Sequence, residues 1–89
     1  MKSETTERFR KVMSKLPDEV QQRARKAYKL WKENHNHPSL HFKQVHKTKP
    51  IYSVRISLSH RALGVIQNDT MIWFWIGSHE EYNNIVSNL

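Results

Sequence analysis

Three apolar, strand-like runs between Ile51 and Tyr82, separated by connections of only two or three residues, constrain this chain more than any other feature. Runs joined so tightly pair as antiparallel neighbours, because a parallel crossover needs roughly a dozen residues or more. Turn length then decides which side chains share a face. If Leu58-Ser59-His60 is a three-residue turn, Ser57 faces Arg61, Arg55 faces Leu63 and Ser53 faces Val65. If Asn68-Asp69 is a two-residue turn, a composition suited to positive φ, Arg61 faces Ile76, Leu63 faces Phe74 and Gly64 faces Trp73. One face then carries Tyr52, Val54, Ile56, Ala62, Gly64, Ile66, Met71, Trp73 and Trp75, apolar enough to receive helices. The other carries Ser53, Arg55, Ser57 and Arg61 beside Leu63, Val65, Phe74 and Ile76. Arg61 opens its strand and Ile76 closes the next, so His79 emerges at the same end of the sheet as Arg61. A two-residue turn at Ser59-His60 would instead put Arg55 and Arg61 on opposite faces.

The helices come from the first half. Phe9, Val12, Met13 and Leu16 recur at the i, i+3, i+4, i+7 spacing of one helix face, preceded by Glu4 and Glu7, which suit a helix N-terminus. Pro17 ends that segment. Asp18 and Glu19 begin a second helix with an apolar stripe of Val20, Ala24, Ala27 and Trp31, while Arg23, Arg25, Lys26, Lys29 and Lys32 fall largely elsewhere. So tight a junction implies an antiparallel hairpin. The stretch Asn34-His35-Asn36-His37-Pro38-Ser39 reads as a loop, and Leu40 to Val45 as a short edge strand before Lys47-Thr48-Lys49-Pro50. Met1 to Thr6 is short and polar, with no strand signal of its own. At 89 residues the chain supports one domain, residues 1–89, with one modest core. The expected fold is α+β: an N-terminal helical hairpin packed on a small three- or four-stranded antiparallel sheet, with a short C-terminal helix.

Charge points to a partner. Lys and Arg number 15 against 8 acids, a net charge of +7. Residues 1–50 hold 13 bases and 5 acids, whereas residues 51–89 hold 2 bases and 3 acids. A surplus so concentrated suits a polyanion or an acidic protein. There is no Cys, hence no disulfide framework and no thiolate metal site, which is compatible with a reducing cytoplasm. The N-terminus is too polar for a signal peptide, and the longest wholly apolar run, Met71 to Ile76, is too short to span a bilayer. The expectation is a cytoplasmic domain with no membrane association.

Arg61 and His79 carry the chemistry that such an end of a sheet can perform. Cleaving RNA through its 2′-hydroxyl needs a base for that proton, an acid for the departing 5′-oxygen, and positive donors where phosphorane charge develops. A guanidinium stays charged and grips phosphate bidentately. Histidine is the side chain whose ordinary titration falls in the physiological range. Such a reaction requires no metal or cofactor. His79 also has a plainer place, in the first turn of a C-terminal helix capped by Ser78. His35, His37, His41 and His46 match no standard zinc spacing, so no metal ligands are assigned. Trp73, Phe74 and Trp75 read as packing rather than stacking platforms. Leu63, Val65, Phe74 and Ile76 are left as the floor of a groove or a docking surface for a partner segment.

The order of a basic helical hairpin, His37-Pro38-Ser39-Leu40, Tyr52-Ser53-Val54-Arg55-Ile56, Ser59-His60-Arg61-Ala62-Leu63-Gly64-Val65 and Trp75-Ile76-Gly77-Ser78-His79-Glu80-Glu81-Tyr82 resembles the RelE/ParE toxin superfamily, with its RelE-, YoeB- and HigB-like members. The resemblance covers nearly the whole chain. It implies the toxin of a type II toxin–antitoxin pair, a helical hairpin against an antiparallel sheet, and an endoribonuclease that cuts mRNA, usually on the ribosome. It implies Arg61 at the scissile phosphate, His79 where relatives carry a post-strand arginine or histidine, and Tyr82 in place of a nearby family tyrosine. Lys43 and Arg55 fall where members bear phosphate-binding bases, and Arg25 and Lys29 join them as helix-borne contacts to RNA or ribosome. A cognate antitoxin is the implied protein partner. The alternatives are a non-catalytic ParE-like inhibitor of DNA gyrase and a degenerate module that only binds antitoxin or nucleic acid.

Overall fold

Thr6 starts the first helix by accepting a hydrogen bond from the Phe9 N–H at 3.1 Å on its hydroxyl. In the computed structural model, which describes residues 1–89, this helix α1 spans Glu7–Lys15 and α2 spans Asp18–Glu33. Pro17 separates them as the N-cap of α2, with Asp18 and Glu19 in the positive first turn. The stripe of α2 behaves as its spacing demands: Ala24, Ala27 and Trp31 are buried. A 3-10 turn, Pro38–Leu40, follows, then strands β2 (Lys43–Gln44), β3 (Ile51–Arg55), β4 (His60–Gln67) and β5 (Thr70–Ser78), and helix α3 (His79–Ser87).

The helical hairpin, the antiparallel strands and the C-terminal helix are present as expected. The sheet is larger than expected, because Lys2–Thr5 forms a fifth strand, β1, parallel to β5 at the far edge of the order β1-β5-β4-β3-β2. Nothing local announces it: an edge strand of four polar residues, closed against a partner some 68 positions away, has no turn and no apolar alternation.

Two registers also depart from expectation. Arg55 pairs with Arg61, Val54 with Ala62 and Ser53 with Leu63, so Ile56 to Ser59 form a longer connection than the expected three-residue turn. The N–H groups of Ile56 and Ser57 both donate to the His60 carbonyl, and Ser59 N–H donates to Ser57 Oγ, which stabilises the wider loop. The displacement is two residues, an even number, so Arg55 and Arg61 keep one face. Between β4 and β5 the Asn68-Asp69 turn has both residues at positive φ, 49° and 60°. Gly64 pairs with Trp73 as expected, but Leu63 then pairs with Trp75, leaving Phe74 as the extra residue of a bulge. Beyond it the faces exchange. Ile76 enters the helix-side core and Trp75 takes the opposite face, the reverse of the uniform ladder.

The core lies between the hairpin and the sheet: Ala24, Ala27, Trp31, Leu40, Val54, Ala62, Met71, Trp73 and Ile76. Trp31 is its centre, edge-on to Trp73 at 5.3 Å and stacked on His35 at 4.2 Å. Gly64 gives Met71 and Trp73 room, since a Cβ there would stand 2.6 Å from the Met71 sulfur. On the other side of the sheet α3 packs on β4 and β5, covering Ser53 and Leu63 with Tyr82. No helix is long and apolar enough to cross a membrane.

Candidate functional site

Because directly paired residues of an antiparallel ladder project to the same side, the registers assemble two adjoining rows on the α3 face. One is Lys43, Ser53, Leu63 and Trp75; the next is Arg55, Arg61 and Gly77. Two arginines therefore stand side by side at the end of the sheet, and Lys43 shares their face. Gly77 leaves the second row open, since a Cβ there would collide with the Trp75 ring at 2.6 Å.

Arg61 is half-buried and held by its own loop. Its Nη1 donates to the Ser57 carbonyl at 2.6 Å and to the His60 carbonyl at 2.8 Å. Burial is the largest influence pushing its pKa down from the usual guanidinium range, the positive charge of Arg55 the next, with Tyr82 acting in the opposite sense. Arg55 Nη1 lies 3.4 Å from Nε2 of His41, a residue in left-handed backbone geometry. The only ion pairs in the structure, Lys11–Glu7 and Arg23–Glu19, lie elsewhere on exposed helix surfaces. Two neighbouring cations without a carboxylate partner form a ready site for an anion.

The third side of this cluster is α3. Ser78 caps the helix: its hydroxyl accepts from Glu81 N–H, and the Glu81 carboxylate accepts from Ser78 N–H and from its hydroxyl. These bonds hold the Glu81 carboxyl below the usual range, the backbone bond foremost, with a smaller contribution from His60. His79 thus occupies the first helical position anticipated for it, and its N–H donates to the Ser59 carbonyl at 2.8 Å, tying α3 to the β3–β4 loop. Its exposed ring stacks against Tyr82 with centroids 6.0 Å apart. The buried Tyr82 hydroxyl donates to Ser53 Oγ at 3.1 Å.

Arg55, Arg61, Lys43, His79 and Tyr82 are thus gathered around one end of the sheet. Arg25 and Lys29 are not. Arg25 hydrogen-bonds Gln21 and borders an apolar cavity of about 330 Å³ beneath the helices, and Lys29 sits with Tyr28, Lys32 and Glu33. The α2 bases that do approach Arg55 are Arg23 and Lys26, which line a second groove of about 370 Å³ with Ser39, Ser57 and Leu58. Only their phase on the helix, one turn before Ala27 and Leu30, could have distinguished them in the sequence. His41 and Ser53 carry no local signal of a role in the sequence, because their contacts run between elements. The loop histidines have separate uses: His37 Nδ1 caps Ser39 N–H, His46 Nδ1 accepts from Thr48 and Lys49, and His35 lies on Trp31.

Comparison with known proteins adds a family and a set of folds. The model of a family described as ParE-like toxin domain matches residues 18–84. No curated protein sequence matches. Among solved structures, the RelB–RelE antitoxin–toxin complex from Methanococcus jannaschii is similar with a TM-score of 0.71 at 13% identity, covering 91% of this chain and 95% of that one. A YoeB/ParE toxin from Agrobacterium tumefaciens gives 0.70 at 12% identity, with 89% and 99% covered. The isolated RelE toxin of E. coli gives 0.66 at 16% identity, with 98% and 96% covered. All share the fold.

Proposed function

Because this chain belongs to the ParE-like toxin domain family, we propose that it is a toxin of a toxin–antitoxin pair that cleaves mRNA, on the ribosome, through the RNA's own 2′-hydroxyl. The observation that carries this reading is the Arg55–Arg61 pair, two adjacent cations with no carboxylate partner, beside His79 and Tyr82. In the reaction the 2′-oxygen attacks phosphorus as its proton leaves, the P–O5′ bond breaks, and the 5′-oxygen takes up a proton. The products are a 2′,3′-cyclic phosphate and a 5′-hydroxyl.

Arg61 is the group for the developing phosphorane charge: its Nη1 is spent on two carbonyls, which fixes the plane of the guanidinium and leaves its other nitrogen donors for phosphate oxygens. His79, exposed at the start of α3, serves proton transfer, a contribution of about 10²- to 10⁴-fold when placed correctly. Tyr82 supports it by stacking, with its hydroxyl engaged by Ser53, and so sets the ring's direction. Lys43 and Arg55 hold the flanking backbone. Complexes such as RelB–RelE among the similar structures support an antitoxin as the protein partner.

Induced expression with mapping of transcript ends, beside a topoisomerase assay, tests the reading. Cuts that vanish with Arg61→Ala and fall by 10²-fold or more, roughly, with His79→Ala are expected. Poisoned gyrase with intact transcripts would instead identify a gyrase inhibitor, and full cleavage by His79→Ala would remove that residue's role.

A further inference from the structure

The groove between α2 and the β3–β4 loop has a composition that anion binding alone does not explain. From it we infer a nucleotide-binding subsite next to the scissile phosphate, an inference that rests on the nuclease reading above. Its rim bears Arg23 and Lys26 from α2 and Arg55 from β3, and no carboxylate lines it. Arg23 Nε approaches Glu19 at 3.6 Å across exposed surface, a weak pair that leaves its terminal nitrogens free. Between these cations the floor is apolar, formed by Leu30 and Ile56, and Leu58 stands at the lip with 80% of its surface exposed. A leucine so exposed contributes nothing to the core.

Cations at the rim with an aliphatic floor and lip suit a ligand that has both a phosphate and a flat apolar face. A nucleotide has both. The volume, about 370 Å³, is at the small end of ligand sites and sufficient for one such unit. Arg55 belongs to this groove and to the Arg55–Arg61 row, so a strand whose scissile phosphate lies at Arg61 passes its neighbouring phosphate across Arg55 and its next base onto Leu30, Ile56 and Leu58. Ser39 and Ser57 supply hydroxyls at the walls for sugar or base edges.

The test uses the purified chain and 2′-deoxy oligonucleotides, which lack the attacking hydroxyl and therefore bind without turnover. A third nucleotide, added to a dinucleotide at each end in turn, tightens binding about fivefold to tenfold at one end, the low range for a base contact. In the Arg23→Ser/Lys26→Ser double variant that gain disappears, dinucleotide affinity stays within about twofold, and the slope of log affinity against log salt falls by about 0.7, one single-strand phosphate. Leu58→Ser, or an abasic third residue, removes the base-dependent part and keeps the slope. All three side chains are exposed, so unfolding midpoints matching the parent confirm that the fold is intact. An unchanged gain in the double variant overturns the subsite. Equal affinity for abasic and intact trinucleotides overturns it in favour of a simple anion patch, and equal competition by a glutamate hexapeptide in favour of an acidic partner segment. Cleavage is read separately: Arg61→Ala abolishes it while preserving the third-nucleotide gain. A parent chain that never cuts mRNA on the ribosome yet shows that gain would remove the nuclease reading and leave the groove.

Discussion

Arg55 and Arg61 are direct cross-strand partners, with no carboxylate in ion-pairing distance of either. Like charges so placed oppose pairing of the strands they sit on, by a few tenths to about 1 kcal/mol. Arg55→Thr should therefore raise stability by about 0.5 kcal/mol at low ionic strength, and the gain should shrink as salt screens the pair. Added phosphate should raise the melting temperature of the parent more than that of the variant. Thermal denaturation across salt and phosphate reads both effects. A variant that melts lower than the parent contradicts the expectation.

The Tyr82–Ser53 hydrogen bond joins α3 to β3 inside a buried layer. Tyr82→Phe leaves Ser53 without its partner and should cost about 1 to 2 kcal/mol. Ser53→Ala should cost a comparable amount. If the bond is the shared cause, the double variant is less destabilised than the sum, and denaturant titration of the four proteins measures that coupling.

Acid should loosen α3 first. The Glu81 carboxyl is held below its usual range by Ser78, so its contribution to stability is present above the ordinary carboxylate range and is lost as pH falls through the lowered folded value. Glu81→Gln keeps an acceptor but does not titrate. The stability difference between parent and variant should be greatest near neutrality and close in acid, as followed by denaturant unfolding at a series of pH values. A difference that widens in acid would have the wrong sign.

Trp31 is 1% exposed and touches Trp73, His35 and Phe42. Its replacement by Ala should cost about 3 to 5 kcal/mol, enough to leave so small a chain largely unfolded. Trp31→Phe should lose less, and a folded-population measurement by circular dichroism separates the two.

Much of this arrangement is legible in the residues because local periodicity records it. The stripe Ala24, Ala27, Trp31 follows from helical spacing, and the Asn68-Asp69 turn from the two side chains that best tolerate positive φ. The common face of Arg55 and Arg61 survives a register error because the error is even. What was illegible is either non-local or unmarked. Strand β1 depends on β5 for its existence, and the Phe74 bulge, which trades Trp75 for Ile76 in the core, carries no glycine or proline to signal it. Helical phase separates Arg23 and Lys26 from Arg25 and Lys29, but that the former pair lies beside Arg55 depends on where α2 meets the end of the sheet.

The pairing of β1 with β5 has a consequence in time as well as in space. Lys2–Thr5 are made well before their only strand partner, Thr70–Trp73. Tyr82, which lies against the arginine-bearing face, follows later still. During synthesis Lys2–Thr5 therefore wait beside an incomplete sheet, and neither the edge strand nor the cluster at Arg61 can form until β5 and α3 have been made. The arginine cluster is therefore among the last parts of the fold to acquire its surroundings.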